Sequence, residues 1–287
     1  MRTALDEFDV VCSAAALPSP GETSGVPLGR SGPRGRGERA ELPAFGSDPR
    51  LASGVPVRLR RRIDRFSALA YLAVSEVLAA LPPGERPPRE RIGLFLANTR
   101  AGWSYGEPEL GLLVDEGPAA MHAYQATAWF PAAAQGEVTI ELDLRGCAKT
   151  TAGRTSGLGE ALWLARDALE RDAVDLAIAG AAESLVNGFV LRDWPEDEPL
   201  PTHGSAEGAV VLALRRPGAG GSVRLRDLRF ADVPADTTDR DWVPTLSRAS
   251  RLHEAVRDSA GAGAVPLGGG YWITVEHPES PSQKEKS

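Results

Sequence analysis

Apolar positions change their spacing several times along the chain, and each change predicts an element. Phe8 to Leu17 (FDVVCSAAAL) is a continuous apolar stretch, as a buried strand requires. From Pro18 to about Val57 (SPGETSGVPLGRSGPRGRGER and onward) glycine and proline break every pattern, which predicts a long loop. Between Arg62 and Leu81, residues Ile63, Phe66, Leu69, Ala70, Ala73, Val74 and Val77 recur at three- and four-residue spacing. That is an amphipathic helix, stopped by Pro82-Pro83-Gly84. Arg91 to Ala97 (RIGLFLA) predicts a buried strand, NTRAGWSYGEPE a polar turn, and a second helix starts near Glu109. Glu137 to Leu144 (EVTIELDL) alternates in period two, predicting a strand with one solvated face.

The stretch from Thr150 to Ser184 predicts strand, tight turn, helix, strand. Thr150 to Gly153 is the first strand, Ser156 opens the helix, and Asp172 to Gly180 (DAVDLAIAG) is the second strand. On that helix Leu158, Ala161, Leu162, Leu164, Ala165, Ala168 and Leu169 cover an arc of roughly 160°. Trp163 falls in the opposite, charged arc with Glu160, Arg166 and Glu170. So wide an apolar arc predicts contact on more than one side. Beyond an acidic, Pro-rich segment (DWPEDEPLP), strands are expected at Gly208 to Leu214 and Ser222 to Phe230, and a helix around Trp242 to Val256. Gly268-Gly269-Gly270 precedes a last strand, Tyr271 to Glu276, and the tail SPSQKEKS is polar throughout, a disordered composition. Alternating strands and helices make the class α/β.

Composition narrows the function. With 42% hydrophobic and 25% charged residues over 287 positions, the chain can bury a sizeable core. Its formal net charge of −7 argues against nucleic acid as a partner. The basic clusters at Arg30 to Arg39 and Arg58 to Arg62 read as solvated loop. No apolar run reaches membrane-spanning length, and MRTALDEFDVV carries acids where a signal peptide needs an apolar core. Two cysteines suit a reducing compartment, so the expectation is a cytoplasmic protein. Four histidines show no metal-ligand spacing, and neither a Walker motif nor G-x-G-x-x-G after a strand is present.

Six segments in order carry a resemblance: RIDRFSALAYLAVSEVL, RIGLFLANTRAG, WFPAAAQGEVTIELDLRG, TTAGRTSGLGEALWLARDAL, VDLAIAGAAES and GSAEGAVVLAL. Together they resemble the β-ketoacyl synthase family of the thiolase fold, over roughly Asp9 to Leu214. The resemblance implies a mixed βαβ sheet with helices on both faces. Residues 1–232 would form a ketosynthase-like N-terminal domain holding the 18–57 loop. Residues 233–276 would be a degenerate C-terminal remnant and 277–287 a disordered tail. Most of the family's second half is then missing, while GGGYWITVE resembles its closing strand.

The departures shape the functional expectation. The family's nucleophilic cysteine stands two residues before a Ser-Gly-Leu, and that position here is Arg154. A guanidinium stays protonated and cannot attack a thioester. Cys12 and Cys147 lie elsewhere and read as small buried residues. The family's two histidine motifs are absent. The resemblance therefore implies a catalytically inactive subunit, like chain-length factors, paired with a cysteine-bearing ketosynthase and contacting an acyl carrier protein. Family dimers pair across the strand matching Lys149 to Gly153, so Lys149, Thr150, Thr151, Gly153, Arg154, Thr155, Leu158 and Leu162 are the expected interface or pocket residues. The exposed arc of the helix would be covered by a second protein, or by residues 242–275 folding back.

Two other readings stay open. Gly153 to Gly157 reads as G-x-T-x-G, so Thr155 or Ser156 is a candidate nucleophile of a thioester hydrolase or acyltransferase. His203 or His122 would be its base and Glu183, Asp193 or Glu207 its orienter. Against this, Ser156 also suits a helix N-cap. The third reading is an acyl- or carrier-protein-binding module, with Arg154 holding a phosphopantetheine phosphate or an acidic acyl group. Alternatively, Arg154 fills a disused pocket and pairs with Glu183. Trp103, Tyr105, Trp129 and Phe130 are candidates for an acyl tunnel or partner groove, or for core.

Overall fold

The computed structural model describes residues 7–16, 49–100, 102–153, 156–185, 187–192, 207–218, 223–230, 245–258 and 263–277. Its strands are β1 Glu7–Ala16, β2 Ile92–Asn98, β3 Ala148–Ala152, β4 Leu176–Ser184, β5 Glu207–Arg215, β6 Val223–Phe230, β7 Gly263–Gly268 and β8 Tyr271–Glu276. They form one mixed sheet in the order β3-β2-β4-β5-β1-β6-β8-β7. β2 runs parallel to both β3 and β4, and every other neighbouring pair is antiparallel. β4 and β5 are buried at every residue, which is why they read as unbroken small and branched apolar runs.

Helices are α1 Pro49–Gly54, α2 Val57–Arg60, α3 Arg65–Ala80, α4 Trp103–Asp115, α5 Gln125–Ala128, α6 Ala133–Glu141, α7 Gly157–Glu170, α8 Gly188–Arg192 and α9 Thr245–Arg257. The two-residue alternation of β2 separates the layers. Leu94 and Leu96 point into one core with α3 and α6. Phe95 and Ala97 point into the other with α7 and α9. Helices thus cover both faces. α3 starts at Asp64, whose carboxylate accepts from Phe66 N at 3.0 Å.

Several expectations are corrected. The strand expected at 137–144 is helix α6. Ala134 and Val138 lie one turn apart against the α3 side of the core, while Ile140 is left 70% exposed. Glu137 and Glu141, also one turn apart, pair with Arg62 (2.8 Å) and Arg58 (2.7 Å). The period-two pattern was a coincidence of Val138, Ile140, Leu142 and Leu144. The expected loop ends before Val57: its residues 18–48 lie outside the described ones, but α1 and α2 are helical. Leu51, Val55 and Leu59, at four-residue spacing, supply their buried side. α4 begins at Trp103, inside the expected turn, directly after Gly102 at φ +84. Strand β7 was not anticipated.

The wide arc of α7 is covered within the chain. Leu158 and Leu162 share a core with Leu246 and Leu252 of α9 and with Leu267 and Ile273 of the β7–β8 hairpin. The hairpin comes close because α7 has a glycine there: a Cβ on Gly159 would stand 2.4 Å from that of Tyr271. Of the two coverings anticipated, the fold-back of the C-terminal region is the one present. The tail after His277 lies outside the described residues.

Candidate functional site

The connection from β2 to β3 carries α6 on one face of the sheet, and that from β3 to β4 carries α7 on the other. Strand order therefore reverses about β2, and open α/β sheets leave a crevice at the carboxyl ends of such strands. Asn98 and Thr99, Ala152 and Gly153, and Ser184 meet there. Thr151 Oγ1 donates to Gly157 O at 2.7 Å, tying the end of β3 to the start of α7. Ser156 occupies the N-cap position, but its hydroxyl donates to Glu160 Oε1 and accepts no backbone N–H. Gly269, at φ +57, stands against it, since a Cβ there would lie 2.7 Å from Ser156 Cβ. The glycine turn between β7 and β8 thus closes onto the elbow.

Two buried carboxylates flank the crevice. Glu183, on the α7 face of β4, accepts from the Thr99 and Arg100 N–H groups. Its burial pushes its pKa up to about 7, the N–H bonds opposing this. Nearby, the Thr99 and Thr245 hydroxyls share a hydrogen bond of 3.0 Å. On the opposite face Asp64 accepts from Ser104 Oγ and Tyr105 N, both at 2.7 Å. Burial again dominates, raising its pKa to about 6. Beside it Arg65 pairs with Glu207 at 2.5 Å, and Ser184 Oγ donates to the same carboxylate at 2.9 Å.

Of the residues singled out from sequence, Arg154, Thr155, Asp193 and His203 lie outside the described ones. Lys149 is exposed on β3, Thr150 and Gly153 are half-buried, and Thr151 is buried. Leu158 and Leu162 are core residues beneath α9, not surface. Glu207 faces away from Ser156, locked to Arg65. Glu183 is engaged with backbone N–H groups. His122 is exposed and bonded to Glu109 at 2.5 Å. Among the described residues, no hydrogen bond joins Ser156 to a histidine, so the hydrolase constellation is not assembled by them. Trp129 and Phe130 are half exposed, and Trp103 packs on Phe189 with ring centroids 5.6 Å apart. Sequence reasoning missed Asp64, although its place directly before the apolar run of α3 was an N-cap signal.

The cysteines sit away from the elbow. Cys12 packs on the α3 side, with Sγ 3.6 Å from Val77 O, and burial raises its pKa. Cys147 precedes β3, whose five residues put about 16 Å between it and the turn. Neither thiol stands in for a nucleophile there.

The mixed sheet, its strand order and the helices on both faces make a thiolase-like α/β fold. A model described as the beta-ketoacyl synthase N-terminal domain matches residues 36–205. The chain belongs to the β-ketoacyl synthase family. The ketoacyl synthase beta subunit of tetracenomycin polyketide synthase from Streptomyces glaucescens is 27% identical, over 75% of this chain and 66% of that protein. The chain spans between 56% and 66% of the length of the first curated relatives it matches. A structure of the ishigamide ketosynthase/chain length factor aligns at TM-score 0.62 and 18% identity, covering 95% of this chain and 99% of that one. A type II polyketide synthase ketosynthase solved with its acyl carrier protein aligns at TM-score 0.60 and 24% identity, covering 79% and 69%. Both structural likenesses are of fold.

Proposed function

We propose that this chain is a non-condensing ketosynthase-like subunit that pairs with a cysteine-bearing ketosynthase in polyketide or fatty-acid biosynthesis, in a chain-length-factor-like or scaffold role. The observation that carries the reading is Arg154 at the position where the family holds its nucleophile, with both cysteines placed elsewhere. Condensation needs a thiolate to hold the acyl chain, and a guanidinium cannot supply one.

The pairing surface is strand β3, which among the described residues is an edge of the sheet. The Cys147 carbonyl accepts from Leu94 N at 3.1 Å, so alternation turns the main chain of Ala148, Thr150 and Ala152 outward. A partner strand added there would bring a second elbow alongside this one. The carrier protein, with its phosphopantetheine, is then a shared ligand of the pair.

Co-expression with a cysteine-bearing ketosynthase, followed by light scattering, tests this. A complex of one copy of each supports it. A stable monomer that stays apart from the ketosynthase sinks it, as would acylation of this chain when it is incubated alone with an acyl thioester.

A further inference from the structure

The chain leaves β2 at Asn98 and returns at Pro131, where Asn98 Nδ2 donates to Pro131 O at 2.9 Å. Just beyond, Gly102 lies so close to Trp129 that a Cβ would meet its Cα at 2.2 Å. The excursion between them, α4 to α5, therefore has a closed neck. Such a unit can detach without breaking a strand pairing.

Its attachment is mostly polar. α4 buries only Gly106 and Glu109, α5 only Ala128, and the 3-10 turn Pro118–Ala120 nothing. Leu113, Val114, Tyr124, Trp129 and Phe130 are between 36% and 83% exposed. Before the neck, Glu183 takes Thr99 N and Arg100 N and ties the entry loop to β4. The unit itself is held by Asp64, which takes Ser104 Oγ and Tyr105 N, and by Trp103 packed on Phe189. From α4 itself Glu107 takes Gly188 N at 2.7 Å, so the unit spans the carboxyl ends of β2 and β4. Asp64 is buried in this arrangement, and its burial raises its pKa to about 6.

We propose that residues 102–130 are a separable flap over the strand ends, latched by the Asp64 carboxylate on Ser104 and Tyr105 and by the Glu107 carboxylate on Gly188, which opens as one unit while the sheet stays folded.

Native-state hydrogen exchange of the full chain across a denaturant series tests this. Amides of α4 should exchange together, at least about tenfold faster than those of β4 and β5 and with a shallower denaturant dependence. Asp64→Asn separates latch from cap: its remaining oxygen still serves Phe66 N, while its amide nitrogen cannot accept from Tyr105 N. This variant should speed α4 exchange about tenfold more and leave α3 and the sheet unchanged. Exchange of α4 only with the sheet, or an equal loss of protection everywhere in Asp64→Asn, overturns the proposal. If that variant does not fold, the wild-type series decides alone.

Discussion

The two ends of the sheet meet solvent differently. At one end β3 is short, regular in register with β2, and has no proline or bulge. At the other, β7 carries Pro266, which has no N–H to offer, and its register with β8 slips between Pro266 and Gly268. Proline and bulges are how edges are closed to strand addition. Among the described residues, the sheet thus ends in a sealed edge built from the C-terminal hairpin and an open edge beside the start of α7. Of these two edges, β3 is the one shaped to accept another sheet, and β7 is not.

The sharpest way to break that contrast is to seal the open edge. Thr150→Pro removes an outward N–H and leaves the β2 ladder intact. We expect loss of the complex with a ketosynthase by tenfold or more in affinity (~1.4 kcal/mol, about one net hydrogen bond), read by light scattering with unchanged circular dichroism. Unchanged affinity would place the partner elsewhere. The mirror experiment, Pro266→Val, should let the chain self-associate through β7.

Next in size is the seam where the hairpin closes on α7. Gly159→Ala drives a Cβ into Tyr271 and should cost about 1–3 kcal/mol in urea unfolding. A neutral result would mean that the hairpin is not packed on the helix.

The third effect is linked to pH. Burial raises the Glu183 pKa to about 7, so the folded chain holds a proton that the unfolded chain releases. The stability this gives is present below the ordinary glutamate range and is lost as pH rises through about 7. The difference in stability between wild type and Glu183→Gln should therefore shift by up to about tenfold in the folding constant per pH unit across that window, and level off above it. A difference that stays flat across the window would mean that Glu183 is solvated.

Smallest of all is Ser156→Ala, which removes a bond to Glu160 but no cap. Stability should change by about 0.5 kcal/mol or less in thermal unfolding. A change in acyl-thioester hydrolysis would instead revive the nucleophile reading.

Much of this was legible in the chain. The strong periods of α3 and α7 and the apolar runs of β1, β2, β4 and β5 predicted elements close to those found. So did the order strand, turn, helix, strand around the elbow, because each burial pattern is local. Segment 137–144 was misread because four apolar residues at alternate positions fit a strand as well as they fit one side of a helix. α3, packing on Ala134 and Val138, decided between them. Residues 49–60 were hidden by the glycine and proline surrounding three apolar residues.

Arg154 at the nucleophile position, the missing histidine motifs and the apolar breadth of α7 are properties of the sequence by itself, since they depend on residue identity and spacing. The structure alone decided what covers α7 and which edge stays open. It also decided that Glu207, Arg65 and Ser184 belong together, across 142 residues for the ion pair. Contacts between segments so distant follow from how strands order themselves in a sheet. No window of the sequence contains that order.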